Sequence, residues 1–211
     1  MRVDDATTIR TIEQLDALYG EPIAAAVTME LDHVSEHYRA YVEASPFVVL
    51  ATSGPEGLDC SPRGDPPGFV RVADPKTLLI PDRRGNNRVD SLRNIVRDPR
   101  VALVFLIPGI GTLLRVNGRA VLSTDPALRE SFAMGERRDK LPASVIVVTV
   151  DAAYIQCPKA LMRSKLWNSA TQIPSSAVPS MGEMLEAITN GAVDCQAFDA
   201  AAPKRLEETM Y

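Results

Sequence analysis

Histidine is scarce in this chain, with 2 among 211 residues, and aromatic side chains supply only 5%. That supply is too small for a multi-histidine metal centre or for an aromatic-lined groove gripping single-stranded nucleic acid. His33 and His37 have the spacing of a two-histidine metal pair, but the order His-Val-Ser-Glu-His departs from the zinc-protease pattern and offers no third ligand. Cys60, Cys157 and Cys195 form no C-x-x-C pair, which argues against a disulfide framework or zinc ribbon and fits a reducing cytoplasm. Long apolar runs are missing as well. The best, Val101 to Leu114, is broken by Pro108, Gly109 and Gly111 and falls short of the roughly 20 residues a membrane helix needs. Met1-Arg2-Val3-Asp4-Asp5 lacks the apolar stretch of a signal peptide. The expectation is a soluble cytoplasmic protein with no membrane partner. Gly109-Ile110-Gly111 lacks the third glycine of a dinucleotide fingerprint, and neither a phosphate-binding Gly-Lys-Ser/Thr nor a G-x-S-x-G serine occurs.

What is present is a globular composition, 45% hydrophobic and 24% charged. The net charge of −4 is unevenly spread: residues 1–60 sum to −8 and 63–100 to +4. Of the cations 18 are Arg and 5 Lys; guanidinium forks suit phosphate, and genomic base composition produces the same bias. An acidic chain poor in aromatics argues against a nucleic-acid partner, despite the basic middle.

Thr11-Ile12-Glu13-Gln14 has the capping-box form and predicts a helix over about 12–18, ended by Gly20 and Pro22. Leu31, Val34, Tyr38, Tyr41 and Val42 recur at helical spacing and predict a second helix over roughly 29–43. From Pro46 the period becomes that of strands: 47–52, 58–63, 69–72 and 77–80, joined by short Gly/Pro turns that imply antiparallel neighbours in a meander. Between 87 and 97, Val89, Leu92, Ile95 and Val96 form a helical apolar stripe. Further strands are expected at 101–107, 113–122 and 144–156, with a helix at 125–132. Thr171 to Ser180 reads as a linker, followed by a helix at about 181–189 and a tail. Many short strands and few helices point to a closed barrel in place of a Rossmann sheet.

Three segments carry candidate chemistry. Pro81-Asp82-Arg83-Arg84-Gly85-Asn86-Asn87-Arg88 joins a strand end to a helix start, where free N–H groups and adjacent guanidiniums make an anion site suited to phosphate. Read alone, the segment is equally a solvated polar turn with Asn as the helix cap. Ser61-Pro62-Arg63-Gly64-Asp65 ends a strand expected near residues 77–81, so that Arg63 points at the same anion and Gly64 lets backbone approach a planar ligand; the alternative is a hairpin corner with an exposed Arg. A helix after Pro158 puts Lys159, Arg163 and Trp167 on one face at spacings of four, as a cationic, aromatic-ended patch or as Trp167 packed on the barrel with its cations in water.

The succession SPFVVLATSGPEG, SPRGDPPGFV, LLIPDRRGNNRVDSLRNIVRDPRVALVF, LLRVNGRAVLS and CPKALMRSKLWN resembles the pyridoxamine 5'-phosphate oxidase-related flavoproteins, the FMN-binding split-barrel family, over about residues 46–168. The resemblance implies a mainly β (α+β) fold, an antiparallel split β-barrel of six strands with peripheral helices, here with a helical N-terminal arm at 1–45 and a linker, helix and tail at 169–211. It implies a homodimer with two FMN molecules in clefts between the subunits. Carried onto this chain, Arg63, with Ser61 and Gly64 beside it, contacts flavin or phosphate. Pro81 and Asp82 flank the isoalloxazine edge, and Arg84, Asn86, Asn87 and Arg88 hold the phosphate. Lys159, Arg163 and Trp167 reach the cofactor of the opposite subunit. The implied activity is FMN-dependent hydride transfer with a small-molecule substrate; the alternative is a flavin carrier or redox sensor. The chain departs from true pyridoxamine phosphate oxidases at residues 123–131, which have no counterpart of their Arg-Pro-x-x-Ser-Gln stretch.

Overall fold

The computed structural model describes residues 4–134 and 140–211, so residues 1–3 of the expected arm lie outside the described residues. Helix α1 (Ile12–Tyr19) starts at the expected capping box: the Thr11 hydroxyl accepts from the Gln14 amide at 3.3 Å, and the Gln14 side chain reaches back to the Thr11 N–H. Helix α2 (Ala24–Thr28) and helix α3 (Glu36–Ala44) follow. The helix read over 29–43 thus begins only at 36. Ser35 caps it, accepting from the Tyr38 amide at 3.3 Å, and Leu31 instead exchanges backbone hydrogen bonds with Ala153 at 2.9 and 2.7 Å. Tyr38 and Val42 of α3 are buried, and the Tyr38 hydroxyl donates to the Met29 carbonyl at 2.6 Å, folding the preceding loop against the helix.

Seven strands form one antiparallel sheet: β1 (Phe47–Gly54), β2 (Gly57–Gly64), β3 (Arg71–Asp74), β4 (Thr77–Asp82), β5 (Arg100–Leu106), β6 (Leu113–Ser123) and β7 (Ser144–Gln156). Helix α4 (Asp90–Arg97) links β4 to β5, and α5 (Pro126–Ser131) follows β6. The order is β2-β1-β5-β6-β7-β4-β3, so β2 and β3, consecutive in sequence, are the two edges. This corrects the expected meander: β1–β2 and β3–β4 are hairpins, and the 65–70 connection passes from one edge to the other. It also corrects the closed barrel, because the edges β2 and β3 do not pair and the sheet stays open, with the end of β4 brought near β2 by the Arg63–Asp82 contact. The strand beyond the implied six is β3, whose four residues cover β4 only from Thr77 to Leu79 and leave Ile80 to Asp82 open on that side.

Alternation builds the core. Val48 and Leu50, Leu78 and Ile80, Leu103 and Phe105, Leu114 and Val116, and Ile146 and Val148 all point inward and are fully buried. At Gly118 the register between β6 and β7 shifts, and an added Cβ would meet the Thr149 carbonyl oxygen at 2.1 Å, so only glycine permits this approach. Helix α4 turns a different face inward from the expected Val89/Leu92/Ile95/Val96 stripe. Ser91, Asn94 and Ile95 are buried, at the i, i+3, i+4 spacing, while Val96 is 74% exposed. Polar groups could take those places because each found a partner: Asn94 donates to the Thr52 hydroxyl at 3.2 Å, and Ser91 bonds to β2.

After β7 come α6 (Lys159–Ser164), two 3-10 turns, α7 (Met181–Ile188) and α8 (Cys195–Glu208). The region expected as a tail therefore holds a 14-residue helix with Pro203 inside it. It packs on α7, where the Gly182 amide donates to Asp199 at 2.9 Å. Among the described residues no helix is long and apolar enough to cross a membrane.

Candidate functional site

The strand period sorts β2 into two faces. Gly57, Leu58, Cys60, Pro62 and Gly64 are exposed, whereas Asp59, Ser61 and Arg63 are half-buried and face inward beside α4. Asp59 accepts a hydrogen bond from the Ser91 hydroxyl, and the Ser91 and Ser61 oxygens are 2.8 Å apart. Arg63 Nη1 donates to Asp82 Oδ1 at 2.7 Å, with both side chains at most 20% exposed. This pair crosses the split in the sheet. The Nε of Arg63 is buried and has no hydrogen-bond partner among the described residues, an unmet donor in a site otherwise well satisfied.

Beyond Asp82 the chain leaves β4 in an irregular segment. Arg83 turns away from the expected anion position: its Nε donates to the 3%-exposed Asp65 at 2.9 Å, and its Nη2 to the Phe132 carbonyl at 3.2 Å. Tyr211 donates to the other Asp65 oxygen at 3.0 Å, and its ring lies 5.8 Å from the Arg83 guanidinium carbon. Arg84, Asn86, Asn87 and Arg88 are exposed. The Asn86 side chain accepts from the Arg88 amide at 3.0 Å, and Arg88 Nε donates to Asp90 at 2.5 Å. The cap of α4 is Val89, at φ 52°, with no side-chain hydrogen bond; the anticipated Asn cap is absent. Asn87 is also left-handed, at φ 60°. Left-handed backbone is readily adopted by Asn and costly for a β-branched residue, so Val89 is a point of strain on the rim.

These residues enclose a cavity of about 1050 Å³. Of the sequence-predicted site residues it brings together Ser61, Arg63, Asp82, Arg84, Asn86, Asn87 and Arg88. It does not bring in Gly64, which is exposed at the end of β2, or Pro81, which is buried in β4 opposite Val145. Lys159, Arg163 and Trp167 also lie off its walls. The expectation that these three share a helical face is corrected, because α6 stops at Ser164 and Lys165 is left-handed at φ 52°. Trp167 instead donates from Nε1 to the Ile110 carbonyl at 2.8 Å. Sequence reading missed Asp59, Ser91, Arg129 and the 141–144 stretch. Arg129 comes from α5 and is anchored by Nε to the Pro142 carbonyl at 2.8 Å. Period-2 alternation in β2 was the signal for Asp59; nothing local marks Arg129. The lining holds Arg63, Arg83, Arg84, Arg88 and Arg129 against Asp59, Asp82 and Asp90, and Asp65 behind the wall pairs with Arg83, which leaves one net positive charge.

The structure thus joins an open antiparallel sheet of α+β type to a cationic, hydroxyl-lined cavity between β2 and the end of β4. The family model for pyridoxamine 5'-phosphate oxidase matches residues 34–157, and the chain belongs to that family. Among solved structures, HupZ from Group A Streptococcus is 17% identical, with 57% of this chain and 91% of that one covered at a TM-score of 0.45. A protein from Clostridium acetobutylicum related to general stress protein 26 is 15% identical over 57% and 86%, TM-score 0.41. An FMN-binding protein from Syntrophomonas wolfei is 9% identical over 56% and 82%, TM-score 0.43. No curated protein matches the sequence.

Proposed function

We propose that the cavity binds FMN and that the protein is an FMN-dependent oxidoreductase acting on a small organic substrate. The observation that carries this reading is the joining of Arg63, Arg84 and Arg88 in one cavity whose surroundings are net cationic, the electrostatics that a phosphate monoester favours. Membership of the pyridoxamine 5'-phosphate oxidase family supports it. The residues present fit such a group: the volume stands just above the roughly 300–1,000 Å³ of ligand pockets, room enough for a flavin nucleotide, and the buried Arg63 Nε lacks an acceptor among the described residues. Arg84 and Arg88 would hold the phosphate together with the Asn86 and Asn87 amides, and Arg63 would contact the cofactor from β2. Asp82, already joined to Arg63, orients that guanidinium. When bound, FMN supplies hydride acceptance and donation. The protein's share is to bind, orient and shield it.

The reading includes a homodimer. Lys159, Arg163 and Trp167 lie off the cavity of their own chain, and in a dimer they would complete the partner's site. Apolar surface is available for such contacts: Phe47, Leu58 and Val121 are exposed on the strands, and Ile12, Leu18, Ile188 and Leu206 on the helices of the 1–45 and 169–211 segments. We assign those two segments to extending the interface around the 46–168 split barrel. Protein purified in air is expected to be yellow and to release FMN on denaturation, identified by mass. Colourless protein that takes up no added FMN would overturn the proposal.

A further inference from the structure

Resting on the reading that the cavity takes a phosphate, we propose that Tyr211 is a positioning residue for the site. Its hydroxyl holds Asp65 so that Arg83 stays shared among the segments forming the cavity wall, and anion affinity therefore depends on a residue beyond α8. The Asp65 carboxylate is buried, so both of its oxygens need donors. Arg83 Nε serves Oδ2 at 2.9 Å, and the Tyr211 hydroxyl serves Oδ1 at 3.0 Å from 146 positions along the chain. The other Arg83 nitrogens are thereby left for two carbonyls, Nη2 for Phe132 at 3.2 Å and Nη1 for Lys140 at 3.5 Å. Lys140 closes the ring of contacts by donating from Nζ to the main-chain oxygen of Tyr211 at 3.2 Å.

Without the phenol oxygen that sharing changes. Asp65 Oδ1 becomes a buried acceptor stripped of its donor, and the guanidinium already on Oδ2 can supply a second N–H in the parallel, bidentate arrangement that arginine and carboxylate favour. The nitrogen that does so leaves its carbonyl. Phe132 and Lys140 bracket the stretch that supplies one wall: Arg129 just before it is bonded to the Pro142 carbonyl at 2.8 Å, and Leu141, Ala143 and Ser144 follow. Ala143 donates its amide to the Asp82 carbonyl at 3.2 Å, so this wall and the root of the 84–88 segment are tied together. Arg84 follows Arg83 directly, whereas the Asn86 and Arg88 side chains bond within residues 86–90. The Arg83 anchor therefore sets where Arg84 and Arg88 meet an anion, and Tyr211 keeps that anchor in place from behind the wall.

The test measures binding of inorganic phosphate to the full-length protein by calorimetry, with FMN as a second probe. Tyr211→Phe, which keeps the ring and removes only the hydroxyl, is expected to weaken phosphate binding about three- to tenfold, the scale of one hydrogen bond, and to speed amide exchange at Ala143. In an Asp65→Asn background the same substitution is expected to leave affinity unchanged, because Tyr211 acts through that carboxylate. A purely structural role would lower resistance to urea and leave the affinity of the folded protein as it was. That result, or an equal loss persisting in the Asp65→Asn background, would overturn the inference. Should a variant fold poorly, linkage gives a reading that needs none: phosphate is expected to slow amide exchange along α8 in unaltered protein, and no slowing would overturn the proposal. Unaltered protein that binds neither phosphate nor FMN would overturn the ligand reading as well, whereas phosphate bound equally by parent and Tyr211→Phe would overturn this inference alone.

Discussion

Arg63 and Asp82 meet at 2.7 Å across the split between two strands that share no backbone hydrogen bond. The pair is mostly shielded, so removing one partner strands the other. Asp82→Ala is expected to destabilise the protein by about 1–3 kcal/mol in chemical denaturation, well beyond an exposed ion pair. An effect within experimental error would show that the split is held without this contact. Arg63→Ala should lower FMN affinity about tenfold or more, read by flavin fluorescence.

Val89 holds a left-handed conformation, φ 52° and ψ 27°, with its side chain 39% exposed. A residue that tolerates that region relieves strain and gives up little packing. Val89→Asn is expected to raise stability by about 1 kcal/mol in urea denaturation, while Val89→Ala leaves it nearly unchanged. A destabilised Val89→Asn would mean that the valine side chain matters more than its backbone.

Gly118 lies against the β7 backbone, with the Thr149 carbonyl where a Cβ would go. Backbone cannot step aside as a flexible side chain does. Gly118→Ala is expected to cost about 1–3 kcal/mol or more and to lower the melting temperature clearly. A neutral substitution would show that β6 and β7 can part at the register shift.

Asp32 ties the segment before α3 to the β3–β4 turn. Hydrogen bonds from Lys76 and then His33 bring its pKa down from 3.8 to about 2. With the folded value below the ordinary one, its contribution to stability is present above about pH 4 and is lost as pH falls through about 2. Carboxyl titration by NMR should show a midpoint near 2 for Asp32, moving toward 3.8 in Lys76→Ala. No movement would remove Lys76 as the cause.

The dimer reading makes a stoichiometric prediction. If each cofactor is held by Arg88 of one chain and Trp167 of the other, mixing Arg88→Ala and Trp167→Ala chains regenerates one intact site in every mixed dimer. After subunit exchange roughly a quarter of all sites should recover parental FMN affinity. No recovery would place both residues' roles within one chain.

Local chemistry made much of this molecule legible. The capping box at Thr11–Gln14, the alternation of β6 and the 144–156 span of β7 each rest on contacts within a few residues, and sequence reading located them. It also marked the 82–88 segment, where charge and turn residues concentrate. Other features were hidden because their cause is distant in sequence. Ser91 and Asn94 displace the apolar stripe of α4 only because Asp59 and Thr52 wait for them across the sheet. Trp167 leaves its expected helical face because Lys165 turns left-handed and the Ile110 carbonyl offers a partner.

By itself, then, the amino-acid order determined strand and helix periods, the place of the basic segment and the family to which the chain belongs. The tertiary structure alone decided that β2 and β3 are opposite edges, that Arg63 reaches Asp82 over the split, and that Arg129 joins the cavity. The division has a physical reason. Backbone periodicity and capping are set by neighbours along the chain, whereas the pairing of an orphaned donor or charge is settled by whichever group the fold brings within about 3 Å.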